Sequence, residues 1–169
     1  MEISSAQGLL ELCESHHQSL PEVVAAYEAF RTNSSVETVW TEMERTLEVM
    51  RTSVKNGMKD RGDLAHIIKG YGYLFKEADA KGQLLGGELF KKIILYSLSV
   101  GQYNASLGRI VACPTAGSCG VVPGALLAVA EELGSSDQEV VDSLFVVGGV
   151  GIVSAAQGPI SGAEGRSEE

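Results

Sequence analysis

Through the first hundred residues, apolar positions recur at spacings of three and four, the signature of helices that bury one face. Leu9, Leu10 and Leu12 open this pattern. Val23, Val24, Tyr27 and Phe30 continue it after Pro21, a residue suited to a helix's first turn. Ser34 followed by Glu37 predicts a capping box. From it Val36, Val39, Trp40, Met43, Leu47, Met50 and Val54 trace one long helix, with Gly57 as its expected stop. Further helices are expected over 63–80 and 88–103, the second with Leu89, Phe90, Ile93, Ile94 and Leu98 as its apolar stripe. No alternating strand pattern of any length appears, and no repeat of fixed period. The expected fold class is mainly α, a helical domain with a glycine-rich loop inserted before a buried helix.

Charge changes this picture in the last third. The windows 110–130 and 143–163 each run 21 residues without a charged side chain. A membrane span needs about 20 mostly apolar residues, and both windows fail on content. The first holds Pro114, Thr115, Gly117, Ser118, Gly120, Pro123 and Gly124, and the second breaks at Gln157, Gly158 and Pro159. Only 144–156 is properly apolar, a length suited to a buried helix. With 12 of the 20 glycines at or after position 101, the last third is expected to be a domain interior. The expected division is therefore outer helices over 1–103 and a glycine-rich core over 104–165.

Composition narrows the function classes. The 169 residues suffice for one packed domain, and 44% hydrophobic with 21% charged residues is ordinary globular usage. Against 13 Lys and Arg stand 22 Asp and Glu, a formal charge of −9. Such a balance repels phosphate backbones and anionic lipid, so neither nucleic acid nor membrane is an expected partner. The three cysteines, Cys13, Cys113 and Cys119, are too sparse for a disulfide scaffold. With a polar opening segment and no signal-peptide pattern, the reducing cytoplasm is the expected compartment.

The candidate chemistry lies in the loop before the last two helices. Small residues from Cys113 to Gly120 lead into a helix expected from Val122 or Pro123 to a stop at Gly134. Unpaired N–H groups at such a helix start, with the Thr115 and Ser118 hydroxyls, suit a carboxylate or phosphate. The plain alternative is a tight turn between buried elements. The lysine of a phosphate-binding loop is missing, which argues against nucleotide hydrolysis. Cys113 and Cys119 stand six apart, outside common zinc spacing, and each on its own is a small buried residue as readily as a ligand. His16 and His17 are expected to face solvent, and His66 to be structural or at the surface. Glu131 and Glu132 mark a helix end. No Ser/His/Asp set or carboxylate pair stands out.

The run from Arg109 to Leu126, with Pro114, Thr115, Ala116, Gly117, Ser118, Cys119 and Gly120 at its centre, resembles the alpha chain of the iron–sulfur-dependent L-serine dehydratases. Asn104 to Gly108, the 160–165 segment, and stretches from Leu9 to Cys13 and from Leu47 to Met50 are similar as well. The resemblance runs through most of this chain and about the first half of a family alpha chain, and reads 1–169 as a single catalytic domain. It implies a lyase of amino-acid degradation and gluconeogenesis that turns L-serine into pyruvate and ammonia. It also implies a [4Fe–4S] cluster with one open iron acting as a Lewis acid on the serine hydroxyl, and a beta chain as partner. By the same resemblance Pro114 to Ser118 hold the substrate carboxylate, and Cys119 is a cluster ligand; Cys13 and Cys113 receive no role.

Two departures qualify what is expected. The family follows the 160–165 segment with further cluster cysteines, whereas here Gly165 leads to Arg166, Ser167, Glu168 and Glu169. This chain alone is therefore expected to be inactive, with apolar surface exposed around 144–156. The family's Ser-Gly-Leu-Thr-Gly-Gly substrate segment is replaced at 65–72 by Ala65, His66, Ile67, Ile68, Lys69, Gly70, Tyr71 and Gly72, where His66 and Lys69 are candidate replacements. Two alternatives follow: a non-enzymatic helical subunit that binds a partner or a carboxylate, and a dehydratase of another hydroxy acid.

Overall fold

A computed structural model describes residues 3–62 and 69–159, and the described residues are helical with no strand. In chain order the elements are α1 (Ala6–His16), α2 (Leu20–Thr32), α3 (Val36–Gly57), α4 (Tyr71–Ala80), α5 (Glu88–Ala105), a 3-10 turn (Ala116–Ser118), α6 (Val121–Leu133) and α7 (Asp137–Gln157). The mainly helical expectation holds. Contacts divide the chain into two units, residues 1–45 with 137–169 and residues 46–136, with the boundary inside α3.

Local chemistry explains the ends of the helices. Ser5 caps α1 by accepting the Gly8 N–H at 3.0 Å, and α1 closes at His17 in the left-handed region, φ 52°. Glu22 reaches back to the Ser19 N–H and hydroxyl, both at 2.7 Å, at the start of α2. Those bonds hold its carboxyl below the usual carboxylate range. The cap of α3 differs from expectation. Ser35, not Ser34, accepts the Thr38 N–H at 3.1 Å, because the helix begins one residue later. Ser34 instead pairs its hydroxyl with Thr32 at 2.8 Å. The helix expected over 63–80 is seen only from Tyr71, after Gly70 at φ 62°, and 63–68 lie outside the described residues.

In the unit formed by 1–45 and 137–159, α7 packs on α1 and α2. Val23, Val24 and Ala25 of α2 and Val140, Val141, Leu144 and Phe145 of α7 are the buried residues of this packing, an apolar interior. Trp40 lies tilted against Phe145, ring centroids 4.4 Å apart. Within 144–156, Leu144, Phe145 and Gly149 are buried whereas Val150 is 59% exposed and Ile152 and Val153 are half-buried. The helix expected to be buried there is buried only in its first part, and the apolar surface expected around 144–156 lies in its last part. The 116–133 and Asp137–Gln157 stretches are each long and apolar enough to cross a membrane, by length and composition only. The helix-bounded stretch Asp137–Gln157 stops short of Gly158 and Pro159, the breaks that failed the charge-free window. A helix with one face packed inside a helical unit meets the same criterion, as α7 does here.

In the unit of residues 46–136, α5 packs against α4 and α6. Its expected apolar stripe is only partly buried: Phe90 is 59% exposed, Leu89, Ile93, Ile94 and Leu98 are half-buried, and the fully buried positions are Ser99, Val100 and Gln102. Small residues explain this. A Cβ on Gly120 would lie 2.3 Å from the Ser97 carbonyl oxygen, and one on Gly124 2.0 Å from the Ser97 hydroxyl. A Cβ on Gly57 would fall 1.8 Å from the Ser99 carbonyl oxygen, and one on Gly72 2.5 Å from the Ser99 hydroxyl. Two residues turn about 200° around a helix, so Ser97 and Ser99 open opposite sides of α5 to close backbone neighbours. Gly57 does end α3, but its missing side chain serves the crossing with α5.

Candidate functional site

The Cys113–Gly120 loop leaves α5 through Leu107, held at φ 61° and 95% exposed, and enters α6 at Val121. The Cys113–Pro114 peptide is cis. Thr115 and Ser118 close a single 3-10 turn reciprocally. The Ser118 N–H donates to Thr115 Oγ1 and the Thr115 N–H to Ser118 Oγ, each at 3.3 Å, while the two hydroxyl oxygens stand 3.0 Å apart. The Ser118 hydroxyl has one proton, with the carbonyls of Cys113 at 3.2 Å and Thr115 at 3.3 Å as competing acceptors. From α5, Asn104 Nδ2 donates to the Ala116 carbonyl at 3.0 Å and ties the loop to that helix.

The structure thus brings the expected substrate residues into one short turn, but gives their hydroxyls a different immediate task. Thr115 and Ser118 shape the loop through each other. Pro114, Ala116 and Gly117 are exposed, and Thr115 and Ser118 half-buried, so the turn lies at the surface of its unit rather than in the middle of a core. The N–H groups of Ala116 and Gly117 donate to no acceptor among the described hydrogen bonds. They are the groups in this turn with donor capacity to spare.

Cys119 ends the turn, 1% exposed, and Cys113 is half-buried. Burial pushes both thiols up, so each is held as a neutral thiol unless a cation faces it. A [4Fe–4S] cluster takes several thiolates. Among the described residues no three His, Cys, Asp or Glu side chains converge as a metal site. The described residues alone therefore do not fit a cluster, and unit 46–136 contributes two thiols. His16 and His17 are exposed at the end of α1, as expected. Lys69 is exposed; His66 and the 160–165 segment lie outside the described residues.

One group of residues was missed in the sequence. Gln102, 2% exposed, accepts the Tyr71 N–H at 3.3 Å and donates to Ser106 Oγ at 3.4 Å. The Ser106 hydroxyl donates to Asp60, whose other carboxylate oxygen accepts the Gly62 N–H at 2.8 Å. Burial opposes ionisation of Asp60, but the hydrogen bonds from Ser106, Gly62 and Gln102 outweigh it and hold its carboxyl below the ordinary range. The signal available in sequence was a glutamine four residues before a serine at a helix end, which is too common to act on.

Comparison with known proteins places these features. Residues 15–167 match the family described as serine dehydratase alpha chain. The chain is 31% identical to a probable L-serine dehydratase alpha chain of Bacillus subtilis, over 95% of this chain and 54% of that protein. It is 24% identical to the L-serine dehydratase alpha chain of Peptoniphilus asaccharolyticus, over 96% and 56%. It is 30% identical to an L-serine dehydratase of Helicobacter pylori, over 96% and 37%. The chain thus spans about half the length of the alpha chains it matches. No solved structure matches it.

Proposed function

Because this chain belongs to the serine dehydratase alpha-chain family, we propose that it supplies the substrate-carboxylate loop of an L-serine dehydratase, a cytoplasmic lyase of amino-acid degradation. The observation that carries this reading is the turn itself. The Thr115 and Ser118 hydroxyls are engaged within the turn, and beside them the N–H groups of the exposed residues Ala116 and Gly117 donate to no acceptor among the described hydrogen bonds. Two adjacent backbone donors with capacity to spare suit a carboxylate, and a turn held at both ends keeps them in place. Overall, L-serine loses its α-proton and hydroxyl as water, and the resulting aminoacrylate hydrolyses to pyruvate and ammonia with no change in redox state.

The same reading makes Cys119 one ligand of a [4Fe–4S] cluster whose other thiolates come from outside this chain, and a beta chain the partner. The positive charge of such a cluster is what the buried Cys119 thiol lacks in order to ionise. On this reading the chain by itself turns over no serine. The test is anaerobic pyruvate formation from L-serine, with iron and sulfide supplied. The chain is assayed alone, and together with a beta chain and the unmatched remainder of a related alpha chain. Pyruvate is expected only in the complemented sample, and none in either sinks the proposal.

A second reading, a carboxylate-binding subunit without catalysis, is favoured by the lack of three converging ligand groups among the described residues. It predicts a serine- or pyruvate-dependent rise in melting temperature without iron. A flat response would remove it.

A further inference from the structure

Asp60 and Tyr71, on either side of the first part of the segment that departs from the family, and the loop of 113–119 are far apart in sequence, yet both are tied to the last turn of α5. Gln102 and Ser106 are four residues apart and stack on one side of the helix. They hold the near edge of the first segment through Asp60, and the far edge through the Tyr71 N–H. The backbone completes the closure: a Cβ on Gly70, at φ 62°, would lie 2.7 Å from the Arg61 carbonyl carbon, so the two ends of the segment touch. Asn104 lies two residues from Gln102, about 200° around the helix, and from there it holds the loop through the Ala116 carbonyl. One helical turn therefore carries Asp60 and Tyr71 on one side and the loop on the other.

We propose that Gln102, Asn104 and Ser106 are positioning residues, and that the last turn of α5 sets the distance from Asp60–Gly62 and Gly70–Tyr71 to the Pro114–Ser118 loop. None of the three needs to touch substrate. Gln102 is buried, with a partner at each end of its amide, so moving it leaves a buried polar group unpaired. That gives the turn a single well-defined arrangement, and strain on one side passes to the other through a rigid element. The inference rests on the proposed carboxylate role of the loop only for its consequence in catalysis. The mechanical link stands without it.

The test uses the full chain with Asp60→Asn, Asn104→Ala, the double variant and Ser106→Thr, followed by amide hydrogen exchange. Asp60→Asn is expected to speed exchange at Gly62 and Tyr71, and also at Thr115 and Ser118 on the far side of the helix, by roughly tenfold. Asn104→Ala, a half-buried position, is the reciprocal arm and should loosen Tyr71. The double variant should show less than the product of the single effects, the mark of coupled sites. Ser106→Thr keeps the hydroxyl and should match the parent. In the complemented enzyme, Asp60→Asn and Asn104→Ala should raise KM for L-serine with kcat within about twofold, since a misplaced carboxylate donor weakens ground and transition states alike. Should Asp60→Asn loosen only 61–71 and Asn104→Ala only 113–118, the shared platform is overturned. If the exchange pattern appears but no pyruvate forms, the platform stands and the dehydratase reading falls.

Discussion

The unit built from α1, α2 and α7 fills its interior with side chains, whereas the unit around α5 closes by leaving them out. In the first, Val23, Val24, Val140, Val141, Leu144 and Phe145 interlock, and burial tapers off along α7 beyond Gly149. In the second, four glycines let backbone approach Ser97 and Ser99 directly, and a buried glutamine takes a place that an aliphatic residue would normally hold. Aliphatic interiors tolerate some repacking, because side chains can shift rotamer. Backbone-to-backbone contacts have no such slack. The candidate site sits in the second kind of unit, where its supports hold position closely.

This contrast can be attacked from both sides. Phe145→Ala is expected to cost the first unit about 3–5 kcal/mol, from lost burial and the cavity left beside Trp40. Calorimetric or denaturant unfolding reads it, and a loss under about 1 kcal/mol would show that the aliphatic core is not what holds that unit. Gly120→Ala should cost the second unit about 1–3 kcal/mol, since the Ser97 backbone cannot yield the space. Gly151→Ala in α7 meets nothing within 4 Å and should instead gain up to about 1 kcal/mol from helix propensity. Equal responses to the two alanines would erase the distinction.

Smaller effects follow from charge. The depressed Asp60 carboxyl lends stability that is present above its unfolded pKa and is lost as pH falls through the folded value. Protection of the Gly62 amide should therefore collapse in the acid range, and Asp60→Asn should flatten that dependence. At the other extreme, burial together with the hydrogen bond to Glu131 at 2.8 Å pushes the Tyr96 phenol up to about 12. Its phenolate absorbance should appear near that pH, with the associated stability lost as pH rises from about 10 towards it. Glu131→Gln should move the transition down. An unshifted titration would mean that the α5–α6 contact is open to water there.

Much of the helical order was legible. Pro21, Gly134 and the spacing from Val36 to Val54 located three helices, because each signal acts within a few residues of the end or face it controls. Ser34 misled, since adjacent serines offer equivalent caps and only the backbone turn selects Ser35. The face of α5 was legible only in part, for a deeper reason. Size and hydrophobicity pointed to Leu89 and Phe90, but what is buried is decided by which helices come closest. The pair Gly120 and Gly124, four apart, was the visible hint. In the loop, residue identity was legible, whereas the mutual bonding of Thr115 and Ser118 was not. The Asp60–Ser106–Gln102 connection joins positions more than forty apart, and no local pattern encodes it.

The meeting of Arg61 and Gly70 has a consequence for how such a protein can change over time. Where two strands of backbone already touch at the neck of a segment, the entropy of closing it is settled at the neck. Rewriting or lengthening the residues between then leaves the scaffold almost undisturbed. The content of that segment can then be exchanged as a cassette, with Arg61 and Gly70 as its fixed ends. Transplanting the corresponding stretch from a relative, between Arg61 and Gly70, should yield a folded chimera, and new preferences can arise there without the protein having to be stable twice.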